Sequence, residues 1–93
     1  MTLQEFVASL LTEGYSPTVH LDREANFSMG DHQHPFDACA LMTAGEFVIT
    51  VGDDSRIYKT GDIFQLPADT VHQERAGPLG ASYIAGRREQ AKA

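Results

Sequence analysis

The sequence predicts a small all-β barrel that follows one short N-terminal α-helix. Two observations carry this prediction. The hydrophobic period changes from helical to alternating after Pro17, and turn residues then separate short apolar runs at regular intervals. With 93 residues, the chain is long enough for one domain and too short for two. We expect the helix over residues 1–14, the barrel over 15–87 and a frayed polar tail over 88–93.

An apolar stripe at helical spacing predicts the N-terminal helix. Its members are Leu3, Phe6, Val7, Leu10 and Leu11. Thr2 and Glu5 have the spacing of a capping box, in which the two side chains bond to each other's backbone N–H groups. Gly14 ends the helix, and Pro17 prevents it from resuming.

Alternating apolar residues predict about eight short strands in the rest of the chain. One strand face consists of Phe36, Ala38, Ala40 and Met42, and the next of Phe47, Ile49 and Val51. Turns are expected at Ala44-Gly45, 52–55, Thr60-Gly61, 67–70 and 76–78, and the last strand over Ala81 to Ala85. Cys39 and Leu41 make the opposite face of the first strand apolar as well. Either the N-terminal helix or a second subunit must cover them, and we expect a homodimer in which the helix takes part.

Composition excludes several classes of function. The formal net charge of −6 disfavours nucleic-acid binding, because an acidic surface repels phosphate groups. No apolar run is long enough to span a membrane, and the N-terminus has no secretory signal pattern. A single cysteine cannot form an internal disulfide, which is typical of a reducing compartment. We expect a cytoplasmic protein with no membrane partner.

Three histidines form the candidate metal site. His32 and His34 are two residues apart, so on an extended strand both imidazoles point the same way and can bind one ion. His72 is the candidate third ligand, because it starts another strand after a proline-containing turn. His20, the remaining histidine, alternates with Val19 and Leu21 and is expected to face solvent. Neutral imidazole suits divalent Fe, Zn, Mn, Ni or Cu, and three such ligands leave positions open for substrate.

The spacing around these histidines resembles the two motifs of the cupin superfamily. His32-x-His34 is followed by Ala38 and Gly45, and Gly61 is followed by Pro67, Asp69 and His72, in the order and spacing of that family. This resemblance implies a cupin double-stranded β-helix, or jelly-roll barrel, that binds a small-molecule ligand or substrate. The fold hosts many activities, so it does not by itself identify one.

The chain departs from the cupin motifs at four positions. The family's glutamate ligand is replaced by Ala38, two of its four motif glycines by Asn26 and Asp69, and its closing asparagine by Ala76. Asp tolerates the left-handed turn geometry that the second glycine adopts. Three-histidine cupins exist within the superfamily, notably the thiol dioxygenases, so loss of the glutamate does not remove the metal.

Glu74 is the acidic residue expected to serve the site. It lies two residues past His72 and therefore points inward from the same strand face. It could bind the ion, orient a histidine or act as the catalytic general base. The resulting hypothesis is a metalloenzyme of dioxygenase or isomerase type that acts on a small polar or anionic substrate. A non-catalytic sensory module, or an interaction protein with a vestigial site, are the alternatives.

Overall fold

One helix and six strands make up the part of the chain that the computed structural model describes, residues 1–89. In chain order they are α1 (Leu3–Thr12), β1 (Thr18–Arg23), β2 (Ser28–His32), β3 (Phe36–Val51), β4 (Asp54–Lys59), β5 (Ile63–Leu66) and β6 (His72–Glu89). No helix within the described residues is long and apolar enough to cross a membrane.

The two long strands, β3 and β6, organise the barrel. They pair antiparallel along almost their whole length, from Phe36 opposite Glu89 to Thr50 opposite Gln73. At one end β5 pairs with β3 and β1 pairs with β6. At the other end β4 pairs with β3 and β2 pairs with β6. Each long strand therefore contributes a segment to both halves, and six strands provide the eight segments of the all-β cupin barrel that the sequence predicts.

Two of the predicted turns are wrong, because the chain continues as strand through both. Ala44 and Gly45 lie inside β3, and residues 76–78 lie inside β6. The register between β3 and β6 shifts there, between Met42 and Ala44 and again between Gly45 and Phe47. Gly45 has a φ of 72°, a conformation that permits a bulge in a bent strand as readily as a turn. The last strand therefore begins at His72 and not at Ala81.

The C-terminal end of the barrel lies further along the chain than predicted. Arg88 and Glu89, which were expected to start a frayed tail, belong to β6. The guanidinium of Arg88 forms an ion pair with Asp37, at 3.1 Å between Nη2 and Oδ2. It also donates to the carbonyl oxygen of Glu13 and lies 4.5 Å from the centre of the Tyr15 ring. These contacts hold the strand end in place, and the rest of the predicted tail, 90–93, lies outside the described residues.

The inward-facing side chains form the main core. Alternation is confirmed for most of the predicted positions, since Ala40, Met42, Phe47 and Ile49 are all buried, whereas Val51 is 42% exposed at the strand end. The other buried members of this core are Phe64, Leu66, Ala76, Ala81, Tyr83 and Ala85.

The N-terminal helix covers the outer apolar face of β3. Phe6 and Leu10 pack with Tyr15, Cys39 and Leu41 in a second buried cluster. The predicted capping box is present at Thr2 and Glu5. The helix thus supplies, within one chain, the cover that Cys39 and Leu41 require. The homodimer stays a prediction.

Candidate metal centre

Four side chains from three neighbouring segments converge at one end of the barrel. His32 ends β2 and lies directly opposite His72, which begins β6. His34 lies in the connection between β2 and β3, and Glu74 follows His72 on the inward face of β6. One ligand atom from each of the four residues lies within 4.8 Å of all the others. The antiparallel pairing of β2 with β6 therefore brings the three histidines together with Glu74.

The four residues differ in their exposure. His72 and Glu74 are buried, at 2% and 8% exposure, whereas His32 and His34 are half-buried. The cluster thus has a dry inner side and an outer side near the barrel opening. A carboxylate buried at this depth requires hydrogen-bonding partners, because burial removes it from water.

Backbone carbonyls orient two of the imidazoles. Nδ1 of His32 lies 2.8 Å from the carbonyl oxygen of Gly30, and Nδ1 of His72 lies 2.8 Å from that of Thr70. A carbonyl oxygen only accepts, so Nδ1 must be the donor in both rings. Each neutral ring then presents the lone pair of Nε2 to the centre of the cluster, the arrangement that metal-binding histidines use.

Glu74 bridges the two oriented histidines. Its Oε2 atom lies 2.8 Å from Nε2 of His32 and 2.9 Å from Nε2 of His72. Because both Nδ1 atoms are committed to carbonyls, protons on Nε2 or on the carboxyl must mediate these contacts. An ion with bonds of about 2.1 Å places ligands at right angles about 3.0 Å apart. The two Oε2–Nε2 distances are therefore close to the spacing that two ligands of one divalent ion would have.

His34 is held as a neutral ring. Burial lowers its pKa below the ordinary value, and the nearby His32 and His72 lower it further, against the smaller opposite effect of Glu74. Its ring stacks on Phe36, with centroids 5.0 Å apart. Its carbonyl oxygen accepts from the backbone N–H of Asp69 at 2.7 Å, which ties this residue to the turn before β6.

Two departures from the cupin motifs have a conformational explanation. Asp69 has a φ of 62° and Asn26 a φ of 61°, so both residues adopt the left-handed geometry that their motif glycines favour. Asp and Asn are the non-glycine residues that tolerate this region best. The expectation for Asp69 is confirmed, and the same conformational explanation applies to Asn26.

The missing motif glutamate leaves space beside the site. Ala38 lies on the wall of a cavity of about 110 Å³ that also contacts His34, Phe36 and Glu74. A carboxylate is therefore present at the site, but it comes from Glu74 on β6 and not from position 38 on β3.

Sequence reasoning missed two basic residues of this cavity, Arg87 and Arg23. Arg23 continues the inward-facing series of Val19 and Leu21 at a spacing of two, and all three line the cavity. Extending the alternation along β1 would have identified it. His20 faces solvent as expected. Burial raises the pKa of the Cys39 thiol, which lies under the helix and away from the site.

Known proteins share this architecture. The cupin domain model matches residues 19–77. KdgF from Halomonas sp. is 21% identical, with a TM-score of 0.69 over 84% of this chain and 74% of that one. An RmlC-like cupin from Shewanella frigidimarina is 19% identical, with a TM-score of 0.67 over 85% and 70%.

A cupin-like protein from Thermotoga maritima is 25% identical, with a TM-score of 0.66 over 80% of this chain. The chain spans only 56% of that protein's length. No curated protein matches the sequence. The structural likenesses establish the fold, and the family model covers more than half of the 93 residues. The chain belongs to the cupin family.

Proposed function

We propose that this cupin binds one divalent transition metal ion through His32, His34, His72 and Glu74. In this proposal the protein is a metalloenzyme that acts on a small polar or anionic organic molecule. One observation carries it: one potential ligand atom from each of the four residues lies within 4.8 Å of the other three. Three imidazoles and one carboxylate suit Fe, Zn, Mn, Ni or Cu.

Glu74 has two tasks in this proposal. When bound, the metal supplies Lewis acidity towards a substrate oxygen, or activates oxygen. Glu74 would hold the ion through Oε2, the atom that faces Nε2 of both His32 and His72. Its second oxygen, Oε1, would then be available to accept a proton from the substrate, the catalytic role expected from the sequence. Dioxygenase and isomerase chemistry both fit this arrangement.

The number of protein ligands supports a second candidate function, a binding module without turnover. Four protein ligands around a tetrahedral ion leave no open position, whereas a six-coordinate ion keeps two. Tight binding of tetrahedral zinc would therefore favour the binding module, and a six-coordinate ion such as iron or manganese would favour catalysis.

Moving the carboxylate from one strand to another tests the ligand role of Glu74. We expect Glu74→Gln to weaken metal binding by at least about tenfold, because the amide is neutral and a poor ligand. Adding Ala38→Glu to that variant should recover most of the loss, because residue 38 lines the same cavity. The exposed Glu46, changed to Gln, is the matched control and should leave the affinity unchanged.

The measurement is the metal dissociation constant, obtained by competition with a chromogenic chelator. Equal affinity in the wild type and in Glu74→Gln would mean that Glu74 is not a ligand. If the second substitution failed to rescue a weakened Glu74→Gln variant, the two positions would not serve the same ion.

A further inference from the structure

The cavity next to the metal centre has an apolar wall and two basic side chains. Beyond His34 and Glu74 it is lined by aliphatic and aromatic residues, including Leu21, Phe47 and Phe64. Arg23 from β1 and Arg87 from β6 also contribute to its wall. A guanidinium on the wall of a small apolar cavity is costly unless an anion accompanies it.

Arg23 has an unmet requirement for a hydrogen-bond acceptor. Its Nε is buried and has no hydrogen-bond partner among the described residues. The guanidinium carbon lies 4.7 Å from the centre of the Phe27 ring. The guanidinium also donates a hydrogen bond to the hydroxyl oxygen of Tyr83, so Nε is the atom that lacks a partner. Among residues 1–89, the ion pairs of arginine involve Arg56 and Arg88 and not Arg23. Leaving a buried charged donor unpaired costs more than about 1 kcal/mol.

Tyr83 adds a hydroxyl beside Arg23. The phenol is buried, and burial raises its pKa, with the neighbouring Arg23 opposing that effect. Tyr83 therefore remains protonated at neutral pH and can donate its O–H. A negatively charged oxygen between the two side chains would accept from both.

Arg87 satisfies these conditions less well. It is exposed, so water meets the needs of its donors. Its guanidinium carbon lies 4.4 Å from the Phe36 ring, on the side of the cavity near His34. The anion site is therefore better assigned to Arg23, whose Nε is dry.

We propose that Arg23 binds the carboxylate of a small organic acid inside this cavity, with the other end of that acid directed towards His34 and Glu74. This inference rests on the proposed function for the role of the metal-facing end. A guanidinium fork matches a carboxylate with two parallel hydrogen bonds, which a neutral group cannot reproduce. The cavity, about 110 Å³, limits the ligand to a short-chain acid.

Butyrate and butyramide, which share shape but not charge, are the probes for this site. Their dissociation constants are measured by NMR titration of zinc-loaded protein and of chelator-treated protein. We expect butyrate to bind the wild type at least tenfold more tightly than butyramide. Arg23→Gln should weaken butyrate binding at least tenfold. Arg23→Lys keeps the charge but not the paired N–H donors, so it should weaken butyrate binding by a smaller factor. Arg56→Gln, at an exposed arginine, should change nothing.

Three results would overturn the assignment. One is a butyrate affinity that is unchanged in Arg23→Gln. If that binding were lost when the chelator removed zinc, the carboxylate would be bound by the metal and not by Arg23. The second is loss of binding in Arg87→Gln but not in Arg23→Gln. The third is the absence of butyrate binding to the wild type. If Arg23→Gln does not fold, Arg23→Lys decides, and its unchanged affinity would also overturn the assignment.

The metal content of the same samples separates this inference from the proposed function. Arg23 is not a ligand, so Arg23→Gln should bind as much zinc as the wild type. If no sample bound metal while butyrate still required Arg23, the metalloenzyme proposal would fail and the carboxylate site would stand.

Discussion

Replacing Leu10 by alanine tests whether the N-terminal helix is an integral part of the barrel. Leu10 is 2% exposed and packs with Phe6, Cys39 and Leu41. It also rests on β6, since a Cβ built at Gly86 would lie 3.1 Å from Leu10 Cδ1. Leu→Ala substitutions at such sites cost about 2–5 kcal/mol, and we expect about 3 because a helix near the chain end can partly close the cavity.

The loss should be large for a domain of this size. A chain of 93 residues has about 5–14 kcal/mol of unfolding free energy in total. A loss of about 3 kcal/mol corresponds to a decrease of about 12–24 °C in Tm. Circular dichroism during heating and urea titration measures both quantities.

Leu11→Ala is the matched control for this experiment. It makes the same chemical change one residue along the helix, at a side chain that is 62% exposed. Its effect should stay within about 0.5 kcal/mol. If the two variants differed by less than about 1 kcal/mol, the helix would not be anchored on the barrel as described.

Three further predictions concern backbone geometry, capping and pH. Gly45→Ala should cost more than about 2 kcal/mol, because its Cβ would lie 2.1 Å from the carbonyl oxygen of Gly80 at a φ of +72°. Gly52→Ala, at a φ of +59° with no atom near the new Cβ, should lower the unfolding free energy by only about 1 kcal/mol, as measured by urea titration of both variants. Equal losses in the two variants would contradict the close approach of Gly45 to Gly80. Thr2→Ala should remove about 1 kcal/mol by losing the cap and Thr2→Ser much less, so a neutral Thr2→Ala would contradict the capping role. Burial, and after it the neighbouring histidines, lower the pKa of His34 in the folded protein. The stability associated with the neutral ring is therefore fully present above about pH 6.5, the unfolded value, and is lost as the pH falls from there through the lowered pKa. The wild type should therefore lose more unfolding free energy than His34→Gln between pH 7.5 and pH 5, and parallel losses would refute this.

Local patterns predicted the helix and the residues of the site. The stripe containing Phe6 and Leu10, and the cap at Thr2, depend on neighbours within a few positions, and both occur in the structure. The inward direction of Glu74 follows from its spacing of two from His72, because alternation along a strand is independent of the rest of the fold. The family motif placed His72 beside the other histidines.

Features that depend on distant pairing could not be predicted in the same way. Gly45 suits a turn or a bulge equally, and only the partner strand decides which one forms. Arg88 is held in β6 by its contacts with Asp37 and Tyr15, which are far away in sequence. The burial of the unpaired Nε of Arg23 likewise depends on the other strands that line the cavity.

Metal content tests the central claim most directly. The purified protein, reconstituted with iron, zinc, manganese, nickel or copper and then desalted, is analysed for each element beside a His32→Ala/His34→Ala double variant. Circular dichroism verifies that both proteins are folded. We predict about one equivalent of a single metal per chain in the wild type and a loss of most of it in the variant. Wild-type protein that binds none of the five metals, or a folded variant that retains the full content, would contradict the proposed metal centre.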